Sequence, residues 1–365
     1  MASYSRTLNG TNNADIITGT NLNDLILALA GNDTVNAGDG DDNVNGGDGN
    51  DMLRGGNGND ILVGGIGDDR LEGGLGHDQI LGDGGNDTIY GGDGRDYIDA
   101  GYGDDIIYAG AGDDGFVNEI NPATGKLTTQ AVGGGAGNDW IYGEDGNDKL
   151  KGQSGNDHVY GGTGNDRVDG GDGDNYLDGG TGDDILSAEY GRDTLVGGDG
   201  RDNLQAGGGD DSLDGGNDAD NMNGEAGNDV MFGGLGDDLL FGGDGADQIH
   251  GGDGVDKLFG ELGADRLWGD AGADWFVFKG YGALDGGDRI EDFQDRTDRI
   301  VLEKLGVTSY QAGGAAGTVF AHDLANGEVQ LDVTSSAGAR FSIVVADQSG
   351  TLSAASFSRD DFILA

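Results

Sequence analysis

The stretch GGDGNDMLRGGNGNDILVGGIGDDRLEGG, residues 46–74, holds three near-copies of one nine-residue phrase. Each opens on Gly-Gly, carries Asp at its sixth place and brings an apolar residue near its end. With Gly46 as position 1, the register runs back to Gly10 and forward to Val117, giving twelve nonapeptides. Sixteen residues, Asn118 to Gly133, interrupt it. A second block of sixteen nonapeptides then runs from Gly134 to Val277. Across the 28 units position 6 is Asp in 27, the exception being Asn175, and position 8 is Ile, Leu, Val, Met or Phe in every one. Position 4 is Gly in 25, the exceptions being Asn13, Leu22 and Asp218. A disordered spacer has no reason to hold an apolar residue in one register so often.

The chemistry of the phrase dictates a local shape. Glycine reaches φ > 0 without steric cost, so Gly-Gly-x-Gly-x-Asp suits a tight turn. The last three residues suit a short strand, with position 8 facing inward and positions 7 and 9 outward. Arg54, Arg70, Glu72, Lys149 and Arg167 stand at such outward places. Two units make one coil, and stacked coils give two parallel sheets around a thin apolar seam. The predicted fold class is all-β, a parallel β-roll (β-solenoid) capped by a β-rich C-terminal region. Fourteen coils at about 4.8 Å each would extend roughly 65 Å.

Composition sharpens the problem this fold must solve. The 365 residues include 81 Gly, 1 Pro and no Cys, and 69 acidic against 19 basic residues give a net charge of −50. Residues 1–278 hold 70 of the glycines and a net charge of −44; residues 279–365 hold 11 and −6, so a boundary falls near Phe278. So acidic a chain argues against nucleic acid and against anionic membrane surfaces. No apolar run reaches the length of a transmembrane helix. The first residues, MASYSRTLNGTNN, lack the apolar core of a secretory signal peptide, and no disulfide or thiolate metal site can form.

One apolar side chain per repeat is too little to offset the entropy of ordering it, the more so with frequent glycine. Stacking also brings Asp carboxylates of every second unit close together. A divalent cation between neighbouring turns answers both difficulties. The donors on offer are carboxylates and turn carbonyls, hard oxygens in number, which favours Ca²⁺ over Zn²⁺ or Cu²⁺ and over the more exacting Mg²⁺.

The unit resembles the G-G-x-G-x-D-x-U-x repeat of RTX, or hemolysin-type, calcium-binding proteins, over about 250 residues. The resemblance implies calcium shared between adjacent turns. One site would use the carbonyls of Gly47 and Gly49 with the Asp51 carboxylate, and the facing turn would add the carbonyls of Gly64 and Ile66 and the Asp69 carboxylate. The equivalent carboxylates are Asp33, Asp42, Asp60, Asp78, Asp87, Asp96, Asp105 and Asp114 in the first block. In the second they are Asp139, Asp148, Asp157, Asp166, Asp184, Asp193, Asp202, Asp211, Asp220, Asp229, Asp238, Asp247, Asp256 and Asp265. Pairing each unit with the one two later allows at most 26 ions, whose +52 would nearly match the −50 of the chain. Occupancy is expected to fall short of that, since Asn13, Leu22, Asp218 and Asn175 depart from the motif.

The expected organisation is a lead at 1–9, roll blocks at 10–117 and 134–277 with an insert at 118–133 between them, and a cap at 278–365. The insert, NEINPATGKLTTQAVG, places Pro122 in a turn signal between short alternating stretches, which predicts a hairpin. In the tail, EVQLDVT and FSIVVAD read as amphipathic strands. The D-R-I-x-D-F and D-x-I elements resemble the C-terminal cap of serralysin-type proteases. Trp275, Phe276, Phe278, Ile290, Phe293 and Ile300 are the candidates to cover the end of the seam. The final SRDDFILA resembles an uncleaved type I secretion signal and also reads as a last cap strand. The resemblance thus implies export through a type I secretion apparatus, unfolded at low calcium, with folding in millimolar calcium outside.

Motifs for catalysis are missing. His77, His158, His250 and His322 are scattered and no H-E-x-x-H occurs. The stretch around Ser154 is a repeat turn rather than G-x-S-x-G, TGKL lacks the earlier glycine of a P-loop, and DDNVNG meets Met52 where an EF-hand needs Glu. Ice binding would want outward Thr rows, but position 7 offers only Thr34, Thr88 and Thr194. The sequence reading is a secreted, non-enzymatic calcium-binding protein with a structural or surface-contact role. The alternative is an exported accessory or carrier module for a separate enzyme.

Overall fold

The computed structural model describes residues 4–115, 119–120, 127–128, 131–280, 287–310, 317–324, 326–347 and 350–364. It forms two compact units, Met1–Glu189 and Tyr190–Ala365. In each, nearly every nonapeptide contributes one strand, and each strand pairs in parallel with the strand two repeats on. Met52–Asn57 lies along Arg70–Leu75, with Leu53 opposite Leu71 and Gly56 opposite Gly74. The intervening strand Ile61–Ile66 belongs to the other ladder and pairs with Asn43–Asp48 and Gln79–Gly84. This is the parallel β-roll that the repeat predicts.

The strands are longer than the repeat suggests. Most run for six residues, from position 7 through position 3 of the next unit, instead of three. Alternation therefore turns a second small residue inward at position 1. It is Gly in most units and Ala at Ala28, Ala37, Ala100, Ala109 and Ala206, each 0% exposed, and at Ala188, 9% exposed. A larger side chain there would meet the turn above: a Cβ on Gly46 would collide with the Asp51 carboxylate and the Gly64 carbonyl. The seam is filled by position 8, whose described side chains from Ile26 to Leu267 are fully buried.

Outside the seam, side chains stack with their counterparts in the next layer, and do so across the insert as well. Tyr90, Tyr108, Tyr142 and Tyr160 form a column at ring spacings of 5.0 Å, a favourable cross-strand arrangement. Arg54 meets Glu72 at 2.7 Å, an exposed pair of small energetic weight. Lys149 departs from the outward expectation. It is only 9% exposed, and its backbone carbonyl and Cβ lie close over Gly115, just before the insert. Burial, then the neighbouring Lys151 and Arg167, pull its pKa down.

The insert does not shift the register. Ile106–Ala111 pairs with Trp140–Asp145 and Tyr97–Tyr102 with Val132–Ala136, in step across the gap. Glu119–Ile120 and Leu127–Thr128 pair antiparallel, as a hairpin requires, while Pro122 and its turn lie outside the described residues.

In the second unit the ladders run on past Phe278, which lies inside the strand Trp275–Lys279. That strand pairs in parallel with Arg299–Glu303, and Arg299–Glu303 with Phe362–Leu364. The other ladder continues through Arg289–Ile290 to Arg340–Val345, which closes an antiparallel set with Val329–Thr334 and Thr318–Asp323. Phe276, Phe278, Ile290, Phe293 and Ile300 are all buried. Trp275 is not part of this core. It occupies the outward position 7, half-exposed, with the Lys257 ammonium 5.4 Å from its ring centre. Phe357 and Phe362 take its expected place, Phe357 packing on Phe293 at 5.4 Å. SRDDFILA folds as one helical turn, Arg359–Asp361, capped by Ser358, and then the last strand.

Leu71→Ala should cost about 2–5 kcal/mol in calcium-saturated protein, by loss of burial plus a cavity in the seam. Leu75→Ala, at a residue 52% exposed, should change stability by roughly 0.5 kcal/mol or less. Chemical denaturation of both variants measures the contrast, and equal costs would contradict an inward position 8.

Candidate metal centre

Positions 6, 8 and 1 share one phase of the alternation, so the geometry that buries Leu62 also buries Asp60. The repeat aspartates are accordingly inside: Asp51 is 3% exposed, Asp60 1% and Asp139 0%. A buried carboxylate needs partners or a counter-charge. One of its oxygens has a partner. The Asp69 Oδ1 accepts the backbone N–H of Asp51 at 2.7 Å, and the Asp87 Oδ1 that of Asp69 at 2.8 Å. This stitch recurs from layer to layer and bridges the insert, where Asp105 N–H donates to Asp139 Oδ1 at 2.8 Å.

The other oxygen meets no hydrogen-bond donor. Oδ2 is buried and unpartnered from Asp33 to Asp114, from Asp139 to Asp166, from Asp211 to Asp256, and at Asp274. What surrounds it is more oxygen. Asp51 Oδ2 and the Gly64 carbonyl both abut the Cα of Gly46. The Gly47 carbonyl faces the Cα of Gly65, and the Gly49 carbonyl that of Gly67, so both are aimed at the next turn. The Ile66 carbonyl accepts the Gly49 N–H at 2.7 Å across the same gap.

Asn175 shows where these oxygens point. Its Oδ1 accepts the Asp157 N–H at 3.0 Å, the usual stitch, which fixes the orientation of the amide. Its Nδ2 then stands where Asp has Oδ2, and donates to the carbonyls of Gly173 at 3.0 Å and Gly171 at 3.4 Å. Position 6 thus converges with the carbonyls of positions 2 and 4 of its own loop. In an Asp loop those three atoms are all acceptors. Among the described residues no three His, Asp or Glu side chains gather around one point. A cation bound there would draw on carbonyls as well as carboxylates, a donor set that suits Ca²⁺.

The electrostatics agree. Burial pushes the Asp148 carboxyl up to about 8, opposed by the hydrogen bond from Asp114 and reinforced by the charges of Asp114 and Asp166. Burial likewise raises Asp60 to about 7 and Asp51 to about 6. At neutral pH without a cation the ladder holds protons or repels itself.

The family model for the RTX calcium-binding nonapeptide repeat (4 copies) matches residues 9–44, 18–53, 45–80, 54–89, 81–116, 134–159, 151–186, 187–222, 214–249 and 250–278. The chain belongs to the RTX calcium-binding repeat family. It is a calcium-binding protein. No curated protein sequence matches it. Among solved structures, a subunit of the Azotobacter vinelandii mannuronan C5-epimerase is 30% identical, covering 40% of this chain and 78% of its own, with a TM-score of 0.20. A hyperactive, Ca²⁺-dependent, β-helical antifreeze protein from an Antarctic bacterium is 18% identical, covering 80% and 86%, with a TM-score of 0.27.

Three residues of the RTX ladder lie outside the predicted ligand set. Asp274 belongs with the other aspartates, since its Oδ2 is equally unpartnered. Asp298 extends the stitch beyond the repeats, accepting from Asp274 N–H at 3.1 Å, and Asp288 does so from Asp265 at 3.2 Å. The signal for both was the D-R-I triplet, which repeats positions 6 to 8 without the full Gly-Gly-x-Gly lead of the repeat. In the cap, however, Asp298 Oδ2 accepts the Gln294 N–H at 2.7 Å.

These raised values set a pH dependence. Folded pKa values of about 6 to 8 lie above the unfolded value near 4, so protonation favours the metal-free roll. That contribution is fully present below about pH 4 and is lost as pH rises through about 6 to 8. Calcium must displace those protons. Its affinity should therefore rise between about pH 5.5 and about pH 7.5, with proton release on binding. Titration calorimetry in buffers of different ionisation enthalpy measures both, and binding without proton release would contradict the assignment.

Proposed function

We propose that this chain is an exported calcium-binding protein that serves a structural or surface-contact role once folded outside the cell. The observation that carries the reading is the ladder of buried carboxylates whose second oxygens face carbonyls instead of donors. In a loop of the consensus form, the carbonyls of positions 2 and 4 and the position 6 carboxylate would hold the ion, joined by carbonyls of positions 1 and 3 from the facing turn. For the representative site these are Gly47, Gly49 and Asp51 with Gly64 and Ile66, and Asp69 adds its charge from the layer above. Bound calcium supplies the positive charge that lets neighbouring layers approach.

The same ladder makes the fold conditional. At low free calcium the carboxylates repel, and an unfolded chain is fit to pass a type I secretion apparatus. Extracellular calcium exceeds the roughly 10⁻⁴–10⁻³ M dissociation constants typical of extracellular modules, so folding follows export. The absence of a catalytic motif from the sequence supports a non-enzymatic role. The acidic exterior supports calcium, rather than nucleic acid, as the bound partner.

Circular dichroism during calcium titration should show a cooperative coil-to-β transition, reversed by chelator; equal β content with and without calcium would falsify the reading. Export is tested separately. Residues 279–365 fused to a cytosolic reporter should carry it into the medium only when the transporter is present, and retention inside would count against the tail as an export element.

A further inference from the structure

The repeat loops are not equivalent: those of Asp15, Asp24 and Asn175 carry their own donor at the place where the loops of Asp33 to Asp114 present bare oxygen. The first two loops read GTNNAD and GTNLND, with Thr at position 2 and Asn13 or Leu22 at position 4. At those positions most other loops use glycines with φ > 0, such as Gly47 at 108° and Gly49 at 133°. Threonine is β-branched and shuns that region. The first loops consequently take another path, and none of Thr11, Asn13, Thr20 and Leu22 has a positive φ.

That path turns donors inward. Asp15 Oδ2 accepts the Thr11 N–H at 2.6 Å and the Thr11 hydroxyl at 2.9 Å. Asp24 Oδ2 accepts the Thr20 N–H at 2.7 Å and its hydroxyl at 2.8 Å. In the third loop the Asn175 amide donates to the Gly171 and Gly173 carbonyls. The two devices differ, one occupying the carboxylate Oδ2, with Asp24 Oδ1 still buried and unpartnered, and the other occupying the carbonyls. Both put a proton where the loops of Asp33 to Asp114 leave acceptors facing one another.

We propose that the loops of Asp15, Asp24 and Asn175 bind no calcium, because hydrogen-bond donors of the chain itself take the place of the ion. The first coil is then closed without metal, while Asn175 puts an uncharged group where the neighbouring loops carry a carboxylate. This inference rests on the assignment of the other loops as calcium sites.

Calcium content after equilibrium dialysis against excess calcium, counted per chain, tests it on the full-length protein. Asn175→Asp removes the amide protons and should bind about one more ion than the parent. Restoring the motif in the first coil, with T11G, N13G, T20G and L22G together, should add about two. Asp166→Asn is the control, since it installs the Asn175 device in an ordinary loop and should lose about one ion. A control that loses nothing would overturn the calcium assignment of the loops. A control that loses its ion while Asn175→Asp gains none would overturn the present proposal. The near-isosteric Asn175→Asp change keeps the test valid should the fourfold variant fail to fold.

Discussion

Burying a carboxylate beside every buried leucine is the constraint from which the rest of this fold follows. The alternation of a β-strand cannot admit position 8 to the seam and exclude position 6. An aspartate there gives one oxygen to the backbone of the preceding layer and leaves the other facing carbonyls. The layers are thus tied by hydrogen bonds and held apart by charge. On the proposed assignment of calcium to the turns, the ion changes that balance and cohesion depends on the solution as much as on the chain. The thin seam fits the same proposal: with ions between turns, one apolar side chain per unit would be enough.

Much of this was legible in the residues. The ninefold register specified the parallel pairing of every second unit and the inward position 8, because each depends only on local backbone geometry. Three things were hidden. Strand length was underestimated, since Gly-Gly at positions 1 and 2 reads as turn but is held extended by the layer beneath. Lys149 looked exposed because its neighbours at the insert are distant in sequence. Trp275 looked like core by composition, although its place in the register, outward position 7, was already countable.

Of the candidate site, the aspartates and the glycine carbonyls were visible as a set, whereas their relative aim was not. Which oxygen is stitched and which is bare depends on contacts between layers. The single position 6 residue that is not aspartate proved the most informative, since its amide reports the convergence that identical carboxylates conceal. The substitutions at Asn13 and Leu22, which read as defects in the repeat, accompany threonines that complete a different and self-sufficient turn.

The insert at residues 118–133 carries a consequence for how such a chain can change. Two ladders pass it in step, and the Asp105–Asp139 stitch has the same length as its neighbours. Each layer therefore senses only the layer directly above and below, as in a stack of plates. Foreign segments spliced between layers at this corner would leave pairing on both sides undisturbed, and whole two-unit layers could be added or deleted in the same way. Size in such a molecule is free to drift by duplication, with its ends, rather than its middle, deciding where it stops.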